Sequence, residues 1–214
     1  MKLILGLIVA VGFAADLLAA DAIVIDKEKK SITIPAKIAP RKLATLDQIY
    51  PVEVIACWPE QMNGQKAHET VVVFEVKPSE VHKALESFGL KAGKPAQGEG
   101  EKAEGPEVAV FLELPDGKKV PIERTLLDKK TGKPMPRLKW IFTGSVMTQP
   151  NPEKDEKVYG ADVSGTMVGI FPVTNQVVIQ TNLTMKDEPL LKLETDKKLL
   201  PPEGTPVKLI IEAK

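Results

Sequence analysis

Apolar and polar residues along the chain alternate with the period of strands far more often than with the period of a helix. Ala22 to Asp26 and Ser31 to Pro35 are short β-rich runs on either side of Lys27-Glu28-Lys29-Lys30, and together they predict an opening hairpin. Val52 to Cys57 alternates as a strand. Val71 to Val76 is almost entirely apolar, the pattern of a strand buried on both faces. One helix is predicted over 78–88. Pro78 suits its first turn, and Val81, Ala84, Leu85 and Phe88 recur at i, i+3, i+4 and i+7 as one apolar stripe. Gly89 follows as the helix stop.

Residues 91–107 break the pattern. They are rich in Gly, Lys, Glu and Pro, hold almost nothing to bury, and predict a mobile charged loop. Strand patterns then return. Val108 to Leu114 and Lys119 to Glu123 flank Pro115-Asp116-Gly117, a hairpin signature. Further strands are predicted at Thr125 to Asp128, Leu138 to Thr143, Met167 to Phe171, Gln176 to Gln180 and Val207 to Glu212, with a polar loop at Gly144 to Gly160. The predicted fold class is α+β: a β-rich, mostly antiparallel sheet with one short helix, forming a single domain over 23–214.

The first residues predict a cleaved signal peptide over 1–22. Lys2 precedes an apolar run from Leu3 to Ala15 that is too short to span a bilayer. Ala20-Asp21-Ala22 fits cleavage after Ala22, and Leu18-Ala19-Ala20 offers a second position after Ala20. No Cys stands beside either position, which excludes a lipoprotein. The expected location is periplasmic or secreted, with no membrane span left after cleavage. Charge narrows the partners. With 29 basic and 29 acidic residues there is no cationic excess to neutralise phosphates, so nucleic acid is not an expected partner, whereas an envelope protein is.

Candidate chemistry is concentrated in one stretch. Cys57, His68 and His82 are the only Cys and His residues in the chain. Cys57 would end one strand, His68 open the next and His82 lie on the helix that follows. If these elements converged, a thiolate and two imidazoles plus water would make an open zinc or copper site, with Glu69 orienting a histidine or serving as a fourth ligand. The spacing matches no known metal signature, and Cys57 also reads as a small buried hydrophobe. A Cys57–His68 nucleophilic pair lacks an orienting acid, because Glu69 would face away from His68 on a strand, so no catalytic residue is assigned. Trp58, with Pro59, and Trp140 are candidate anchors for a binding partner, and both also suit a core. The acidic residues Glu153, Asp155, Glu156 and Asp162 read as a solvated loop and its flank rather than a calcium site.

Several segments together resemble a known family. They are Ala56-Cys57; Lys66-Ala67-His68-Glu69-Thr70; Val76-Lys77-Pro78-Ser79-Glu80-Val81-His82-Lys83-Ala84-Leu85; and Gly89-Leu90-Lys91-Ala92-Gly93. Trp140-Ile141-Phe142-Thr143-Gly144-Ser145 and Pro201 to Val207 agree with them. The chain resembles the YdjY domain family. The resemblance implies an exported bacterial protein and singles out His68, Glu69 and His82, but it assigns no catalytic or cofactor residue. Lys83 departs from it, standing where the family has a small residue. The expected function is a non-catalytic binding or structural module of the cell envelope, with a periplasmic metal-binding protein as the alternative.

Overall fold

The computed structural model describes residues 23–43, 45 and 48–214. The stretch read as a signal peptide lies outside these residues. The strands are β1 (Val24–Asp26), β2 (Ser31–Ile38), β3 (Val54–Cys57), β4 (Thr70–Val73), β5 (Glu107–Glu113), β6 (Lys119–Pro121), β7 (Leu126–Asp128), β8 (Trp140–Phe142), β9 (Met147–Thr148), β10 (Val158–Tyr159), β11 (Thr166–Gly169), β12 (Ile179–Thr181), β13 (Leu193–Thr195) and β14 (Pro206–Ala213). Helix α1 (Pro78–Ser87) follows β4, and the single turn α2 (Ala161–Ser164) precedes β11. The β1–β2 and β5–β6 hairpins form as predicted. The β9–β10 hairpin lies within the stretch expected to be a plain loop, and β13 adds to β7 without having been foreseen.

The main sheet closes on itself. β2, β14, β5, β8, β12, β11, β3 and β4 pair in that order, and β4 returns to β2. This makes an eight-stranded barrel, a size at which side chains alone fill the interior. Its seams are antiparallel except β3–β4 and β11–β12, which are parallel. Closure cannot be read from periodicity, because the β2–β4 seam joins residues far apart in sequence through only two register positions, Lys37↔Val73 and Ile38↔Val72.

The wall has two characters. In β2, β5 and β14, Ile32, Ile34, Val110, Leu112, Leu209 and Ile211 point inward, and their alternate neighbours face outward. In β3, β8, β11 and β12 every residue is buried. Those strands are covered on the outside as well as packed within.

Part of that cover comes from the charged stretch 91–107, which corrects its reading as a loop with almost nothing to bury. Gly93 N donates to Phe142 O of β8 (3.2 Å), and Lys94 and Glu104 exchange two backbone hydrogen bonds. Ala96, 1% exposed, is held by Gln180 of β12: its N–H donates to Oε1 (2.8 Å), and its carbonyl accepts from Nε2 (2.9 Å). A Cβ on Gly93 would lie 1.9 Å from Glu104 O, so only glycine fits there. Charged side chains mark this stretch as solvated, yet its backbone and one alanine do the anchoring.

α1 buries Val81, Ala84 and Leu85 in the common core. It has no side-chain cap of its own. Asp162 of α2 supplies one from a distance, its Oδ1 accepting from Ser79 N (2.8 Å) and its Oδ2 from Ser79 Oγ (2.5 Å). A carboxylate at this end also complements the helix dipole.

Candidate functional site

Cys57, His68 and His82 are held in three separate environments. Cys57 ends β3, fully buried, with Sγ 3.9 Å from both Ser164 O and Thr166 Oγ1 of the adjoining segment. Burial pushes its thiol pKa up, which leaves it protonated and a poor ligand or nucleophile. β3 and β4 do pair, but in parallel. That register sets Cys57 against Val73, and the start of β4 against Val54, about 10 Å back along the strand.

His68 lies just before β4, not on a strand but in a 3-10 turn, Ala67–Glu69. Its ring packs edge-on against Tyr50, with centroids 5.1 Å apart. The turn brings Nε2 to 3.5 Å from Glu69 Oε1, where strand geometry would have sent the two side chains to opposite faces. Glu69 belongs to a larger charged cluster. Lys66 Nζ donates to Glu69 Oε2 (2.6 Å) and Glu53 Oε2 (2.8 Å). Burial works to lower the Lys66 pKa, but these two hydrogen bonds outweigh it and hold the ammonium above its ordinary value. Buried Arg41 donates from Nη2 to Tyr50 O. Burial pulls its guanidinium pKa down, opposed by Glu69 and Glu194. The cluster largely satisfies itself and ties β3, β4 and the chain before β3 together.

His82 sits on α1 beside Val81 and faces β10. Tyr159 Oη accepts from Ser145 N (3.0 Å) and lies 2.8 Å from His82 Nδ1. If the phenol gives its proton to Nδ1, the ring proton falls on Nε2, which stands 3.4 Å from Glu86 Oε1. Burial raises the Tyr159 pKa, which keeps the phenol a donor. The imidazole also packs edge-on to Phe142 (5.0 Å) and Tyr159 (5.2 Å). Gly144, at φ 65°, leaves room for it, since a Cβ there would stand 3.1 Å from His82 Cε1. The helix histidine and the Gly-Ser after β8, distant in sequence, thus meet in one latch that docks α1.

Among the described residues, no three His, Cys, Asp or Glu side chains are gathered to hold a metal ion. The convergence expected of Cys57, His68 and His82, with Glu69 beside them, does not form. The parallel β3–β4 seam, the 3-10 turn and the latch each take one residue elsewhere. Trp140 is 2% exposed and donates from Nε1 to Glu123 Oε1 (2.9 Å), so it belongs to the core. Trp58 donates to Val76 O (2.7 Å). The chain has two tyrosines and two histidines, and each His meets a Tyr; sequence reasoning overlooked both tyrosines because nothing local links the partners.

It also missed a groove. Along one edge, β2 pairs with β1 over Ser31 to Thr33 and with β4 over Lys37 and Ile38, leaving Ile34 to Ala36 without a strand partner on that side among the described residues. Ile38 N donates to Thr205 O, beside β14. Backbone direction alternates along a strand, so Ile34 and Ala36 also turn toward β14 and Pro35 turns toward the gap. Pro35 has no N–H to offer there, which makes the gap a poor template for another strand. Over this edge opens a mainly apolar groove of about 870 Å³, bounded by Thr33 and Pro35 of β2, Phe74 and Val76 after β4, Met62, and Pro206 of β14.

The model of the YdjY domain family matches residues 23–212, nearly all of the described chain. The chain belongs to the YdjY domain family. No curated protein and no solved structure matches it. Within this YdjY domain, the resembling segments around His82 and Gly144-Ser145 form the α1 latch, and those around His68-Glu69 form the charged cluster. Among the described residues no helix is long and apolar enough to cross a membrane.

Proposed function

We propose that this YdjY protein is an exported, non-catalytic binding module of the bacterial cell envelope whose ligand site is the groove over Pro35. The groove carries the reading. Its volume lies within the range of small-ligand sites, roughly 300–1,000 Å³, and its apolar lining is what such sites use to hold a ligand. The polar groups singled out from sequence support a non-catalytic role: the thiol is buried and protonated, His68 joins a cluster of ion pairs, and His82 docks a helix. Export rests on the signal-like first 22 residues.

Two measurements test the reading. Native mass spectrometry of the protein taken from its own host should show a bound small molecule that is lost in Thr33→Trp, where the indole fills the groove. N-terminal sequencing of the periplasmic or secreted protein should begin at Ile23 or Asp21. A chain retaining Met1 in the cytoplasm, or a co-purifying molecule indifferent to Thr33→Trp, would sink it.

A further inference from the structure

We propose, resting on the reading of the groove as a ligand site, that its ligand is a long-chain carboxylate: the aliphatic chain lies against Pro35, Pro59 and Met62, and the head group sits between Lys37 and Lys208. The first support is the set of prolines in the lining. Pro35 and Pro206 on the floor, and Pro40 and Pro59 at the sides, contribute no N–H. A peptide laid as a strand along the unpaired stretch of β2 would meet Pro35, which has no N–H to donate, whereas a hydrocarbon needs no such partner.

The second support is the register. Lys208 stands opposite Pro35, and Pro206 opposite Lys37. All four residues lie on the outward face, so the two lysines stand as diagonal neighbours across a proline platform, about 7–8 Å apart. Both long side chains can reach one carboxylate above the prolines. Lys208 Nζ already bonds Glu113 Oε1 at 2.7 Å, but this pair is exposed and of the kind a competing anion displaces readily. The third support is the charge count of the lining. Lys37, Lys42 and Lys208 are balanced by Glu60, Glu75 and Glu203. A site with no net positive charge suits a single negative charge better than two.

Calorimetry on the purified full chain, below micellar concentrations, would compare laurate, dodecyl phosphate and dodecanol. Laurate is expected to bind most tightly, with dodecanol weaker by about tenfold. The double variant Lys37→Ala/Lys208→Ala should bring laurate down to dodecanol, and Thr33→Trp should abolish both while leaving the thermal transition unchanged. If Thr33→Trp fails to fold, Met62→Glu serves as the second block. Equal binding of laurate and dodecanol, or tighter binding of dodecyl phosphate, overturns the carboxylate assignment and leaves the groove as a ligand site. Absence of binding by all three overturns the carboxylate proposal and counts against the groove. Laurate binding that survives both blocking variants overturns both readings.

Discussion

The two halves of the barrel wall solve the same packing problem differently. β2, β5 and most of β14 bury one face and leave the other more open, so their composition alternates as their geometry does, with the buried Ile210 of β14 as the exception. β3, β8, β11 and β12 are buried on both faces, and what covers them comes from elsewhere in the chain: the stretch 91–107 over β8 and β12, and α2 beside β11. The open half offers surface for a ligand, and the groove lies at its edge. The covered half holds Cys57 and the Phe142 ring, both fully buried, with His82 packed against the latter. A candidate residue on a doubly covered strand therefore reads first as packing.

The sharpest break between the halves is a charge placed in each. Ile55→Lys puts an unpaired ammonium in a fully buried site of β3 and should abolish the cooperative thermal transition, followed by circular dichroism. Ala109→Lys faces outward on β5 opposite Glu212 and should shift stability by less than about 1 kcal/mol. Deleting Gly93 to Gly105 should cost about 2 kcal/mol or more in urea unfolding, because it uncovers β8 and β12 and leaves the buried Gln180 amide without its Ala96 partners. An unchanged midpoint would show that the cover carries no weight.

Smaller effects probe the latch and the thiol. Tyr159→Phe should cost about 1–3 kcal/mol, since Ser145 N and His82 Nδ1 lose their shared partner. A double-mutant cycle with His82→Ala should give a coupling of about 0.5 kcal/mol or more, and strict additivity would dissolve the latch. The folded-state pKa values of Cys57 and Tyr159 are raised above their ordinary 9.0 and 10.0. The unfolded chain loses these protons first, so their stabilisation is complete below about pH 9 and falls away as the pH rises through the folded values. Alkaline denaturation should be less steep in Cys57→Ala and Tyr159→Phe than in the parent. The smallest effect is expected from metal: zinc and copper content by elemental analysis should stay well below one ion per chain, and be unchanged in His68→Ala.

Where a strand faced both water and core, its side chains announced it. The β1–β2 and β5–β6 hairpins and β14 follow directly from alternation and turn residues, and α1 follows from its stripe between Pro78 and Gly89. β13 was missed because Leu193 to Thr195 is too short to show a period. The charged loop was misjudged because composition reports side chains, while Gly93 and Ala96 are held through their backbone. Of the candidate site, residue types were legible and positions were not. Cys57, His68 and His82 are close in sequence, but the β3–β4 seam is parallel where short connections suggested antiparallel, and that separates the strand end from the neighbouring start.

The amino-acid order alone determined most of the strands, the place of helix α1 and the family the chain resembles, because these depend on periodicity and local turn chemistry. Tertiary structure decided that the sheet closes, that His82 meets Tyr159, and that a proline at an unpaired edge lies under a groove. Each of these joins residues tens of positions apart, and contacts at that range leave no local pattern to read.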